Sequence, residues 1–319
     1  MDNIVHHMNC LQLCLYNICK KYCIADYLMF CGSWCFSHDD NMNISQALSI
    51  PLEDRENVFL KEYQGLSTTI ISFESSNTES ILQTVSEKDC NMDFDVVIHI
   101  DSYDCPWHKG FRKLNIPHYV HITNIDYEKK VLICDDPYFN VFQIELSFEN
   151  FMLSCKTIRI FQYNPIDRDI NSNVILHYIK KRTRIKQITK DIISFAHRIL
   201  EVESLCELFD YKDDIFFCTN VRILKFIADS RYGLSYLFSH LSLSAMDGKK
   251  PLLINIANQF KNCGLLYEKT NNYYMKLYYS VDVPTSDIKG KLQSISNKLI
   301  EIAGMEIMLY NQLSQLEKK

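Results

Sequence analysis

The chain has 319 residues, 47% of them apolar and 23% charged, with a formal net charge of −5. That length suits one large domain or two ordinary ones, and the balance excludes disorder as the main character. An acidic chain with few glycines (8) and prolines (7) also argues against a general nucleic-acid binder, which needs a basic field, and against collagen-like or glycine-rich phosphate-loop designs.

No uncharged apolar run reaches the roughly 18 residues of a membrane span, so a soluble protein with no membrane partner is expected. Met1-Asp2-Asn3 lacks the basic start of a secretion signal, and the apolar stretch around Cys10–Cys19 soon meets Lys20-Lys21. The expected location is therefore cytoplasmic, where the 13 cysteines read as reduced thiols.

In chain order, 9–30 predicts a helix: Leu11, Cys14, Leu15, Ile18 and Cys19 recur at helical spacing, and Asn9 is a candidate N-cap. His6-His7 reads as a disordered chain end. Thr68–Phe73 predicts a strand and Glu79–Glu87 a short helix. Asp95–Asp101 (DVVIHID), His118–Ile125 (HYVHITNI) and Lys130–Cys134 (KVLIC) are further strands. The short link between the last two makes an antiparallel hairpin. Tyr138–Leu146 and Thr157–Tyr163 extend the sheet. Asn164-Pro165 and the polar residues after it predict a linker, and 174–211, 213–246, 251–263 and 287–318 read as helical.

The chemistry centres on His118 and on Asp135-Asp136-Pro137. In a hairpin, the histidine starting one strand lies beside the end of the next, and a neighbouring carboxylate fixes its tautomer and stabilises its cation. One of the two aspartates faces His118; alternation along the strand does not say which. No Gly-x-Ser-x-Gly elbow is present, whereas Cys10 stands at a helix start, where backbone N–H groups favour a thiolate and can hold an oxyanion. Cys, His, Asp in this order is that of a papain-like cysteine site. His121 points away from His118. Gln12 or Asn17 is a further candidate oxyanion donor.

Two blocks carry a family resemblance. NCLQLCLYNICKKYCIADYLMFCGSWCFS (Asn9–Ser37) resembles the opening of the butirosin-biosynthesis H (BtrH) N-terminal family, related to C39-like papain folds. HIDSYDCPWHKGFRKLNIPHYVHITNIDYEKKVLICDDPYF (His99–Phe139) resembles its second block, with Asp101, Tyr103, Pro106, His108, His118, Asp136 and Pro137 on the pattern. Most of the first block's glycines are absent, Gly32 near Trp34 excepted, and Asn124 replaces another. The resemblance implies an α+β, papain-like fold over 1–165: a nucleophile helix and an antiparallel sheet, with a mainly helical region, 166–319, packed on it. It also implies acyl transfer in natural-product biosynthesis of the nonribosomal-peptide type. An acyl group would pass from the phosphopantetheine thioester of a peptidyl or acyl carrier protein to Cys10, and then to a small amine, giving an amide. Cys10 is then the nucleophile, His118 the base and Asp136 the orienter, with Asp135 the alternative.

Trp34, Trp107 and His108 are candidate channel residues. The basic run Lys180, Lys181, Arg182, Arg184, Lys186 is a candidate docking surface for an acidic carrier. No bound cofactor and no metal are expected, since no CxxC knuckle occurs. A peptidase or thioesterase using water, and a non-catalytic carrier-binding scaffold, are the competing readings.

Overall fold

In the computed structural model, which describes residues 4–49, 58–72, 82–83, 86, 94–167, 170–211, 214–245, 248–280 and 285–316, helices and strands segregate into an α+β arrangement. Two units form, Met8–Asp26 with Phe59–Arg168, and Met1–His7 with Tyr27–Val58 and Asp169–Lys319. The division expected at 165/166 lies close to the change of unit at 168/169. Residues 27–58, however, belong with the helices rather than with the sheet.

The sheet unit begins with α1 (Cys10–Lys21). Asn9 caps it reciprocally: its side chain accepts from the Gln12 N–H at 2.8 Å, and the Gln12 side chain accepts from the Asn9 N–H at 3.0 Å. The expected continuation to Phe30 does not occur. Cys23 takes a left-handed φ of 55°, and its N–H and that of Ile24 turn back to the Lys20 and Cys19 carbonyls. This is the hydrogen-bond pattern with which helices usually end on glycine. A short 3₁₀ stretch, Asp26–Gly32, replaces the rest.

Six strands follow: β1 (Leu66–Ser72), β2 (Phe94–Asp101), β3 (Pro117–Asp126), β4 (Val131–Asp136), β5 (Val141–Ser147) and β6 (Cys155–Tyr163). They make one antiparallel sheet in the order β1-β6-β2-β3-β4-β5. β5 starts three residues later than expected because Pro137–Asn140 form a turn ending on Asn140 at φ 56°. The helix expected at Glu79–Glu87 lies outside the described residues except at 82, 83 and 86.

One sheet face packs Val96, Ile98, Ile100, Val120, Ile122, Leu132 and Cys134 against Phe151 of α2 (Phe148–Ser154). Along β3 the side chains buried on this face run 118, 120, 122 and then 125. The skip is a β-bulge: Ile122 pairs with Cys134 and Asn124 with Ile133, leaving Thr123 unpaired. On the other face, buried Asp95 accepts from Lys21 Nζ and from His121 Nε2, each at 3.0 Å.

In the helical unit, the expected run 174–211 is broken at Thr183–Arg184 into α3 (Ser172–Arg182) and α4 (Ile185–Arg198). Three long helices follow, α5 (Thr219–Ser244), α6 (Lys250–Tyr278) and α7 (Thr285–Leu316). Gly233 of α5 admits the buried Phe30 ring, since a Cβ there would stand 2.2 Å from Phe30 Cδ1. The core of this unit holds a buried ion pair, Arg231–Glu306 at 2.8 Å. Ser37–His38 pairs with Leu48–Ser49 in a second, two-stranded sheet. No helix among the described residues is long and apolar enough to cross a membrane. The twelve cysteines described are all free thiols.

Candidate active site

Cys10, His118 and Asp136 come together in the sheet unit, each from a different element. Cys10 is the first residue of α1, half-buried. His118 is near the start of β3, opposite Ile100, and Asp136 ends β4. His118 and Asp136 are buried, 2% and 0% exposed.

His118 Nε2 lies 2.6 Å from Asp136 Oδ2. With Nε2 so engaged, Nδ1 remains for the Cys10 thiol, the other hydrogen-bond partner of this imidazole. Asp136 is fully satisfied. Oδ2 also accepts from Trp107 Nε1 at 2.7 Å, and Oδ1 accepts from the Tyr138 and Phe139 N–H groups at 3.1 and 3.2 Å. The proline after Asp136 opens the turn that aims those two N–H groups back at the carboxylate. Burial alone would raise the Asp136 pKa; hydrogen bonding and the charge of His118 outweigh it, and the carboxyl is held below its usual range.

Burial likewise pushes His118 down, but hydrogen bonds to Asp136 and Cys10 and the charges of both carry its pKa up to about 9. This raised value sets a pH dependence of stability. Below the unfolded value near 6.5 the contribution is complete; it is lost as pH rises through about 9. The rise corresponds to ~3 kcal/mol. In urea unfolding, wild type should exceed His118→Gln by more at about pH 6 than at about pH 10. An unchanged gap would contradict the raised pKa.

The bulge at Thr123 decides between the two aspartates. Past it His121 pairs with Asp135, so Asp135 shares the face of His121 while Asp136 shares that of His118. Asp135 accepts instead from the Gln143 N–H at 2.9 Å.

The start of α1 leaves donors available. The N–H groups of Asn9, Gln12 and Leu13 are taken within the cap; those of Cys10 and Leu11 meet no acceptor among the described residues. Of the two candidate amide donors, Gln12 is buried with its Oε1 serving the cap, and Asn17 is exposed nearly two turns along the helix.

Of the candidate channel residues, His108 lies at the site, its ring edge-on to His118 with centroids 4.9 Å apart. Trp107, half-buried, supports Asp136 through its indole N–H. That role was hidden in the sequence because it depends on the fold of the 102–116 loop. Trp34 is buried in the helical unit, where its indole donates to Glu306.

The basic run does not form one helix face. Lys181, Arg182 and Arg184 surround the α3–α4 break and line a cavity of about 140 Å³ with Tyr178, Thr183 and Trp34. Lys180 lies half-buried on α3 and Lys186 exposed on α4.

His6-His7 is not a loose end. Residues 4–7 form a 3₁₀ turn, the His7 ring stacks on Tyr232 at 3.9 Å, and its Nδ1 meets Asp229 Oδ1 at 3.1 Å. With Glu268 these residues form the one described cluster whose spacing suits a metal ion. Its carboxylates are already engaged, Asp229 by Lys225 and Glu268 by the Tyr232 hydroxyl.

No family model matches the chain, and no curated protein matches it in sequence.

Proposed function

We propose that the protein is a papain-like cysteine acyltransferase of the BtrH type, which makes amides from carrier-bound thioesters. The observation that carries this reading is the His118 imidazole held between the Cys10 thiol and a fully hydrogen-bonded Asp136. A proton donor next to a nucleophile, oriented by a third group, is the general arrangement for covalent acyl transfer.

His118 draws the proton from the Cys10 thiol. Cys10 sulfur bonds to the thioester carbonyl carbon, and the free N–H groups at the start of α1 receive the oxygen's developing charge. Collapse breaks the carbon–sulfur bond to pantetheine, whose thiolate takes the proton from His118. An amine then attacks the acyl-enzyme, gives a proton to His118, and leaves as the amide while Cys10 is released. Phosphopantetheine arrives with the carrier as substrate; no cofactor is invoked.

Intact-mass measurement after mixing with an acyl-pantetheine thioester should show one acyl group on wild type and none on Cys10→Ala. Subsequent loss to an added amine marks a transferase, and loss to water alone marks the thioesterase. No adduct with unconsumed substrate would overturn the acyl-transfer reading in favour of a binding scaffold. An adduct persisting on Cys10→Ala would move the nucleophile elsewhere.

The basic rim of the α3–α4 break is the proposed docking surface for the acidic carrier. Reversing Lys181 and Arg184 to Glu should lower carrier-dependent turnover about tenfold while sparing reaction with the small thioester. Equal losses in both assays would reject docking there.

A further inference from the structure

His108 belongs to a loop with its own framework. Ser102 Oγ donates to the Leu114 carbonyl at 2.6 Å and accepts from the Ile116 N–H at 3.0 Å, closing the loop at its base. Within it, the Gly110 N–H donates to His108 Nδ1 at 2.8 Å. Glycine is required at 110, since a Cβ would sit 2.9 Å from Ser102 Oγ and 3.0 Å from Nδ1 itself. The ring is further held edge-on by Phe139, with centroids 4.9 Å apart.

This geometry fixes the tautomer. Nδ1 accepts, so the proton of the neutral ring is on Nε2. The ring also stays neutral: burial, then the adjacent His118 cation, lower its pKa to about 4. His108 therefore cannot act as a second base near neutral pH, because its one lone pair is occupied and Nε2 has none. What remains is an N–H donor, half-buried beside His118, with no acceptor among the described residues. A half-buried donor without a partner is costly unless a ligand or water supplies one.

We propose that His108 is a substrate-binding residue whose Nε2–H donates to a carbonyl oxygen of the acyl thioester as it lies across His118. The inference rests on the acyl-transfer reading and adds the substrate feature recognised: an uncharged carbonyl, which a neutral donor suits better than a carboxylate.

Two reactions of Cys10 separate the possibilities, both followed by peptide mass spectrometry on the full chain. One is acylation by an acyl-pantetheine thioester; the other is exchange with bis(2-hydroxyethyl) disulfide, which has no carbonyl. His108→Ala should slow acylation by about 10–100-fold and leave disulfide exchange within about twofold, and His108→Gln, which retains an N–H donor, should recover part of the loss. Equal slowing of both reactions would mean that His108 only supports the Cys10–His118 pair, and unimpaired acylation would mean that it does not touch the substrate; either overturns the proposal alone. A wild type that exchanges with the disulfide yet takes no acyl group overturns the acyl-transfer reading, and this inference with it. ¹⁵N NMR of labelled histidines adds a test that needs no turnover: an Nδ1–H tautomer or a cation at His108 near neutral pH rejects the donor.

Discussion

Asp136→Asn should slow acylation of Cys10 by about 10⁴-fold, the scale found when the carboxylate of a serine triad becomes an amide. Four donors converge on this carboxylate, His118 and Trp107 on Oδ2 and two backbone N–H groups on Oδ1. An amide has one oxygen and one NH₂. Placed either way round, it sets its NH₂ against two of these donors, and turning the side chain offers no escape. The imidazole also loses the charge that helps to hold its proton, so His118 in the variant should titrate well below about 9. Single-turnover acylation and histidine NMR would show both effects, and a loss smaller than tenfold would remove Asp136 from the proposed machinery.

Glu306→Ala should cost the helical unit about 3–5 kcal/mol, since it leaves Arg231 as a buried cation without its counter-charge. Both side chains are fully buried. Glu306 takes Arg231 Nε at 2.8 Å, the Trp34 indole and the Tyr267 hydroxyl, while the Arg231 guanidinium also reaches the Cys35 carbonyl at 3.2 Å. Arg231→Met with Glu306→Leu, which removes both charges and keeps bulk, should recover most of the loss. Urea unfolding of the full chain would compare them. A double variant as unstable as the single one would mean that packing, not charge, accounts for the effect.

Much of the sheet unit was legible because its strands are unbroken apolar runs with charged ends, and because Asp136-Pro137 marks a strand exit. The end of α1 was not, since Cys23 adopts the left-handed conformation that glycine would have advertised. The ion pair was equally hidden. Arg231 and Glu306 lie 75 residues apart on α5 and α7, helices in which a single charged residue reads as a solvated position until its partner is known. Residues 27–58 lacked a strong period, so nothing local revealed that they join the helices. For the site, Cys10 and His118 were nameable from position and chemistry, and Asp136 only as one of the Asp135-Asp136 pair until the family resemblance was added. Trp107 was not, because a hydrogen bond across 29 residues is written in the path of a loop rather than in spacing. A trace of the bulge was visible after the fact: Val120, Ile122 and Ile125 break strict alternation.

The choice of acid at His118 is thus stored in the bulge. Counting from the closing pair Asp126–Val131, a regular ladder that kept Thr123 would set Asp135, not Asp136, on the face of the imidazole. The doubled aspartate carries a spare carboxylate for that frame. Loss of the single codon for Thr123 would instead close the bulge and leave Ile122 opposite Cys134 and His121 opposite Asp135, so that Asp136 would keep the histidine, the Trp107 indole and the turn N–H groups. Alignments of relatives around this hairpin should therefore be judged by gap placement before residue identity: a gap at Thr123 removes only the bulge, whereas a one-residue gap between Val131 and Cys134 with the bulge kept changes which aspartate meets the histidine.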